Sequence, residues 1–273
     1  MRVTTAMQTE EPFALIRFIT QSYARLVLVA FALVPAYLIG YLYFFQDRTL
    51  KFENHTFHEI AIAVATLEGL FVTYVTWQCY RSSGEPLLRW MMLGFFGFVL
   101  IYALHGAFTG FAHHDIWLFL AYGLASRLAM SVLLLVALLS YRQPADPDGR
   151  RVGRRYWLTW AITFLVVDVL VALFATSRFA GIAPLRLMES AALILSVLNV
   201  AVLMLRRIRS PLMVIFGISV TSFALSSLAF LLGSPWNHMW WLAHVIFASG
   251  FFLLSYGVAQ AFLTTRSFAT IYS

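Results

Sequence analysis

The chain has 273 residues, 61% of them hydrophobic and 11% charged, with a mean hydropathy of +0.81. A soluble domain carries about a quarter charged residues, so this composition excludes an ordinary water-soluble enzyme and leaves no length for a sizeable domain outside a bilayer. The net charge of +7 is expected to face lipid headgroups and not nucleic acid, and a single cysteine, Cys79, excludes an internal disulfide and a two-thiolate site.

In chain order, residues 1–25 carry Glu10 and Glu11 and lack an uninterrupted apolar stretch ending in a cleavage site, so no removable signal peptide is expected. Within them, 11–19 mixes apolar and charged residues and reads as an interfacial helix lying on the membrane. Apolar runs follow at 26–45, 57–79, 90–111, 116–140, 157–176, 187–205, 211–232 and 239–262. Each is close to the roughly 20 residues that one crossing needs. The expected fold is therefore all-α, a polytopic membrane protein of eight transmembrane helices. It divides into a cytoplasmic segment 1–25, an eight-helix membrane domain 26–262 and a cytoplasmic exit segment 263–273. The longest connection, 141–156, places Pro144, Asp146, Pro147, Asp148 and Gly149 before Arg150, Arg151, Arg154 and Arg155. It separates two four-helix halves that share no motif, which gives an inverted-repeat transporter no support.

Positive charge sets the orientation. One side of the expected bundle holds fourteen arginines (2, 17, 25, 81, 89, 142, 150, 151, 154, 155, 206, 207, 209 and 266), against Arg48, Lys51, Arg178 and Arg186 on the other. By the positive-inside rule the richer side, with both termini, is expected to be cytoplasmic, and the expected location is a bacterial inner (plasma) membrane. Tryptophans 117, 236, 240 and 241 then fall in an outer interfacial belt, and 90, 157 and 160 in an inner one.

All seven histidines lie on the outer side of this arrangement. His55, His113, His114 and His238 read as solvated loop or interface residues. His58, His105 and His244 lie inside apolar runs one or two turns below the surface, where a polar ring needs an internal partner. At 1.5 Å rise per residue His105 and His244 are nearly level and His58 sits somewhat above them, and the three are expected to converge on one outer pocket able to hold a ligand, haem or a transition metal. Glu59, beside His58, and Glu189 are further acceptors for that site. Deeper in the bilayer lie Glu68, Arg127, Asp168 and Asn199. A lone buried charge is costly, so Arg127 is expected to pair with Glu68 or Asp168 below the histidines.

These residues also suggest a family. Phe57-His58 opening helix two, Leu93-Gly94 and His105 in helix three, Ser126-Arg127 and Ser131-Val132-Leu133-Leu134 in helix four, and Ala243-His244 in helix eight resemble the membrane-associated sensor domains of the third class. The stretch Leu253-Leu254-Ser255-Tyr256-Gly257-Val258 running into Thr265-Arg266 is similar to the exit of such domains. The chain departs from the family pattern at Ile62, where an acid is usual, and at Gly123, where a Trp is common. The resemblance implies an eight-helix input domain of the kind found before diguanylate cyclases or histidine kinases.

The leading expectation is thus a sensory, ligand-binding input domain, not an enzyme, that signals through helix eight to a cytoplasmic output module or partner protein. Its ligand-binding residues would be His58, His105, His244, Arg127, Glu68, Asp168 and Glu59, with a small-molecule ligand and a second copy of the chain as further candidate partners. The alternative is a haem- or metal-binding membrane subunit for electron transfer or metal handling through His58, His105 and His244. A di-iron hydroxylase would need more histidine boxes on the cytoplasmic face, and a retinal pigment an embedded lysine, whereas the only lysine, Lys51, lies in an outer loop.

Overall fold

The computed structural model describes residues 11–146, 153–208, 210–265 and 267. Among them the helices are α1 (Glu11–Phe45), α2 (His55–Ser83), α3 (Pro86–Ala107), α4 (Ile116–Leu139), α5 (Arg154–Ala175), α6 (Ile182–Leu205), α7 (Pro211–Leu232) and α8 (His238–Thr265), with one 3₁₀ turn at Thr109–Phe111 and no strand. All eight are long and apolar enough to cross a membrane. Local chemistry fixes where they start. Asn54 and Asp115 accept the Phe57 and Leu118 amides at 2.9 and 3.0 Å as N-caps of α2 and α4. Pro86 and Pro211 occupy first-turn positions of α3 and α7, where a missing N–H costs nothing.

One expected element is absent as a separate unit. The segment assigned to an interfacial helix at 11–19 is the first part of α1, which runs unbroken through Pro35 to Phe45. Residues 1–10, the arginines at 150 and 151 with the turn before them, Arg209, Arg266 and the exit residues 268–273 lie outside the described residues.

Six helices close a ring in the order α2, α3, α4, α6, α7, α8, each packed on the next and α8 back on α2. Helix α1 lies outside against α7 and α8, and α5 outside against α3 and α4. The ring interior is filled with aromatic side chains. Phe95, Phe98, Phe223, Phe247 and Phe251 are all buried, with the Phe98 and Phe251 rings stacked at 4.8 Å and Phe223 and Phe247 meeting at 5.0 Å. The outer faces of α1, α5 and α6 carry exposed Leu, Ile, Val and Phe, as lipid-facing surfaces do.

Loop contacts define the two ends. At one end, Gly84 takes a left-handed φ of 73° to cap α2, and its carbonyl accepts the Asp146 amide. The Asp146 carboxylate also accepts from Tyr80 and Arg89, and Arg206 donates to the Tyr141 carbonyl, so the 84, 140–146 and 206 turns lie together. At the other end, the Phe52 amide donates to the Trp236 carbonyl and Glu53 meets His113, joining the loops before α2, α4 and α8. In the first of these loops Asp47 accepts the Thr49 amide and hydroxyl, which hold its carboxyl below the usual carboxylate value.

Candidate functional site

Three helix ends converge at the second end of the ring. His58 comes from the first turn of α2, His105 from the last turn of α3 and His244 from the second turn of α8, and all three are buried. The His58 ring lies 5.0 Å from each of the other two, and the His105 and His244 rings are 6.2 Å apart. One nitrogen from each lies within 4.8 Å of the others.

Hydrogen bonds fix which nitrogen that is. His105 Nδ1 donates to the Phe119 carbonyl at 2.8 Å, and His244 Nδ1 to the Trp240 carbonyl at 2.9 Å, because a carbonyl only accepts. His58 Nδ1 lies 2.9 Å from the Thr109 hydroxyl, which is also 3.3 Å from the His105 carbonyl and can donate to either. His105 and His244 therefore carry their protons on Nδ1 and keep a lone pair on Nε2, whereas His58 has an acceptor for its proton on either nitrogen, the Thr109 hydroxyl or His244 Nε2. His58 Nε2 and His244 Nε2 stand 3.2 Å apart. At that distance either a proton on His58 Nε2 or a cation bridges the two nitrogens. For a tetrahedral ion with metal–nitrogen bonds of about 2.0–2.1 Å, neighbouring ligand nitrogens are separated by about 3.3 Å. Holding each ligand's Nδ1–H on a carbonyl or hydroxyl is also how metal-binding imidazoles are oriented.

Aromatic rings enclose the cluster. Phe119 stacks on His105 at 4.7 Å, and Trp240 lies over His58 at 5.1 Å. Gly123 leaves room for the His105 ring, since a Cβ there would meet ring atoms at 3.1–3.2 Å. Trp236 holds a φ of 69°, which bulky side chains rarely adopt. Its ring stacks on Phe119 on one contact and on His55 on another, between the buried histidines and the loop that carries Glu53.

Beyond Trp236 a second group is more exposed. Glu53 meets His55 at 2.8 Å and His113 at 3.1 Å, so two histidines expected to be merely solvated share one carboxylate.

The embedded charges pair differently from expectation. Arg127 of α4 donates to Glu189 of α6 at 2.6 Å, both being buried, and its guanidinium lies over the Phe230 ring. Neither Glu68 nor Asp168 is the partner. Helices α2 and α4 are not neighbours in the ring and meet where the His58 and Phe119 rings touch, and Glu68 makes no ion pair with Arg127. Helix α5 does touch α4, but there it is the Asp168 backbone carbonyl that accepts, from Tyr122, and not the carboxylate. Glu59 is exposed on the outside of α2. These three acids therefore stand apart from the histidine cluster. Asn199 donates to the Ser131 carbonyl and serves the α4–α6 contact, beside a Ser131–Ser196 hydroxyl pair.

A cavity of about 240 Å³ opens between α4, α6 and the α7–α8 turn, and its walls include His105, His244, Arg127 and Glu189. Thr109 and Phe119 were not singled out by sequence reasoning, Gly123 stood out only as a departure from the family pattern, and Trp236 and Trp240 only as members of an interfacial belt. Their roles rest on backbone carbonyls and ring stacking, which leave no pattern in a sequence.

No protein-family model matches the chain, and no curated protein or solved structure matches it.

Proposed function

We propose that this protein is a membrane-embedded input domain that binds one zinc or copper ion through the Nε2 atoms of His58, His105 and His244. Occupancy of that site is its signal. The observation that carries the reading is the convergence of three buried imidazoles whose Nδ1 atoms are each hydrogen-bonded elsewhere. Imidazole donors suit zinc and copper. A haem iron has four positions taken by its macrocycle, so a third imidazole nitrogen 3.2 Å from His244 Nε2 favours a bare ion over haem.

Transmission follows from where the ligands sit. A metal bond ties the consecutive helices α2 and α3 to α8, which is distant in sequence, at one end of the ring. Helix α8 continues from His244 to Thr265 at the opposite end, the end expected to face the cytoplasm on the arginine count. A shift of α8 against α2 and α7 on metal binding would reach an output module or partner protein there. A ligand biases such a switch only through its different affinity for the two packings.

The test is equilibrium dialysis of the purified protein, in detergent or nanodiscs, against Zn2+ and Cu+, in the wild type and in His58→Ala, His105→Ala and His244→Ala. One tightly held ion per chain, lost in each variant, supports the binding claim. A metal-dependent change in the activity of a diguanylate cyclase fused after Ser273 supports the signalling claim. Unchanged stoichiometry in the variants, or an output indifferent to metal, would overturn the corresponding half.

A further inference from the structure

A second set of ligating groups meets at the same end of the ring, outside the buried triad. His55 Nε2 lies 2.8 Å and His113 Nε2 3.1 Å from one oxygen of Glu53, Oε1, and the two imidazole rings are 4.9 Å apart. One ligand atom from each of the three lies within 4.8 Å of the others. Donors around a tetrahedral ion with bonds of about 2.0–2.1 Å stand about 3.3 Å apart, so small side-chain movements close this set on a single ion.

The chain around each ligand is already fixed. Glu53 sits between two anchored residues, because the Phe52 amide donates to the Trp236 carbonyl at 2.8 Å, the Phe52 carbonyl accepts from the Trp241 indole N–H at 2.9 Å, and Asn54 caps α2. His55 opens α2 with its ring stacked on Trp236 at 5.2 Å. His113 lies in a tight turn before α4, where the His114 and Asp115 amides both donate to the Phe111 carbonyl at 2.9 and 2.8 Å and Asp115 caps the helix. Binding therefore needs little further ordering of backbone.

Donor chemistry selects the ion. Calcium and magnesium take oxygen ligands, which two imidazoles do not supply. Two histidines with one glutamate are a zinc ligand set that leaves a further position for water. The Glu53 carboxylate also offsets part of the ion's charge, as the three buried imidazoles do not. Glu53 and His113 are exposed and His55 is half-buried. An ion held here stays in contact with solvent, and ordering the exposed side chains lowers its affinity.

We infer that Glu53, His55 and His113 form a second, exchangeable zinc site. It shares no ligand with the buried triad and does not depend on it. Trp236 stands between the two, its ring 5.2 Å from that of His55 and 5.7 Å from that of His58, so the outer site captures its ion on the loop side of the tryptophan.

Equilibrium dialysis of the full chain in nanodiscs against radioactive Zn2+, with magnesium in excess, tests this. The expected isotherm has two steps, a tight ion and a weaker one that desalting removes. Glu53→Gln, His55→Ala and His113→Ala should each abolish the weaker step and keep the tight one, with helix content unchanged by circular dichroism. His114→Ala, at the exposed neighbour of His113, should keep both steps. A weaker step that is absent, that survives in any of the first three variants, or that is lost equally in His114→Ala leaves Glu53 an ion-pair acceptor only and overturns the inference, whatever the tight step does. A weaker step lost in those three variants alone, with no tight step in the wild type, overturns the buried site and leaves this one standing.

Discussion

His58 Nε2 and His244 Nε2 lie 3.2 Å apart although 186 residues separate them in the chain. The second nitrogen of each ring is held by Thr109 and by the Trp240 carbonyl, so neither ring can turn away without breaking a buried hydrogen bond. Metal binding should therefore stabilise the fold, since an ion held only by the folded site favours it by mass action. At an ion concentration one hundred times the Kd the gain is about 2.7 kcal/mol. A thermal melt with and without zinc checks this. No shift in Tm for the wild type, at zinc levels that saturate binding, would contradict it.

Thr109→Val keeps the shape of the side chain and removes the hydrogen-bond partner of His58 Nδ1. Loss of such an orienting partner typically lowers metal affinity about 10- to 100-fold, and the same range is expected here with the helix content unchanged by circular dichroism. Gly123→Val should act on His105 in the same direction, because even the Cβ would stand 3.1–3.2 Å from the ring. Metal titration by calorimetry reads both effects.

Arg127→Ala strands the Glu189 carboxylate between α4 and α6 and should cost about 3–5 kcal/mol. The double variant Arg127→Ala/Glu189→Leu should recover much of that loss, since it removes the stranded charge as well. Reversible unfolding in mixed micelles would measure the cycle. Additive losses in the double variant would show that the pair is not coupled.

Orientation is tested by reporter fusions. Fusions after Arg81, Gly149, Arg209 and Ser273 should read cytoplasmic, and fusions near Asn54, Ala112, Ala180 and Pro235 external. An external 141–156 connection would place the histidine cluster on the cytoplasmic side.

The helices were legible because eight apolar runs of spanning length leave little choice in a bilayer, and the 211–232 run coincides with α7 to the residue. Helix α1 was read too short. Its first turns mix Arg17 with apolar residues, which looks like an interfacial segment, yet nothing in 11–45 breaks a helix except Pro35, and that helix passes through it. The meeting of His58, His105 and His244 was legible from depth, because rings at one level in a small bundle have few places to go. Depth misled for Arg127. It sits eleven residues into α4, near the level of Glu68, whereas Glu189 is seven residues into α6 and Asp168 is likewise seven residues from the corresponding end of α5. A long arginine side chain spans that offset of about 6 Å, the rise of four helical residues. What decided the partner was that α4 packs on α6 and not on α2, and helix adjacency is not written in hydropathy.

The central claim is that three imidazoles share one ion. X-ray absorption at the metal edge of the purified, metal-loaded protein tests it directly. The account predicts one ion per chain with three nitrogen scatterers at about 2.0–2.1 Å, the outer-shell pattern of imidazole rings, and one further light-atom ligand. An ion whose surroundings show no imidazole scattering, or whose spectrum is unchanged when His105 and His244 are both replaced by Ala, would contradict it.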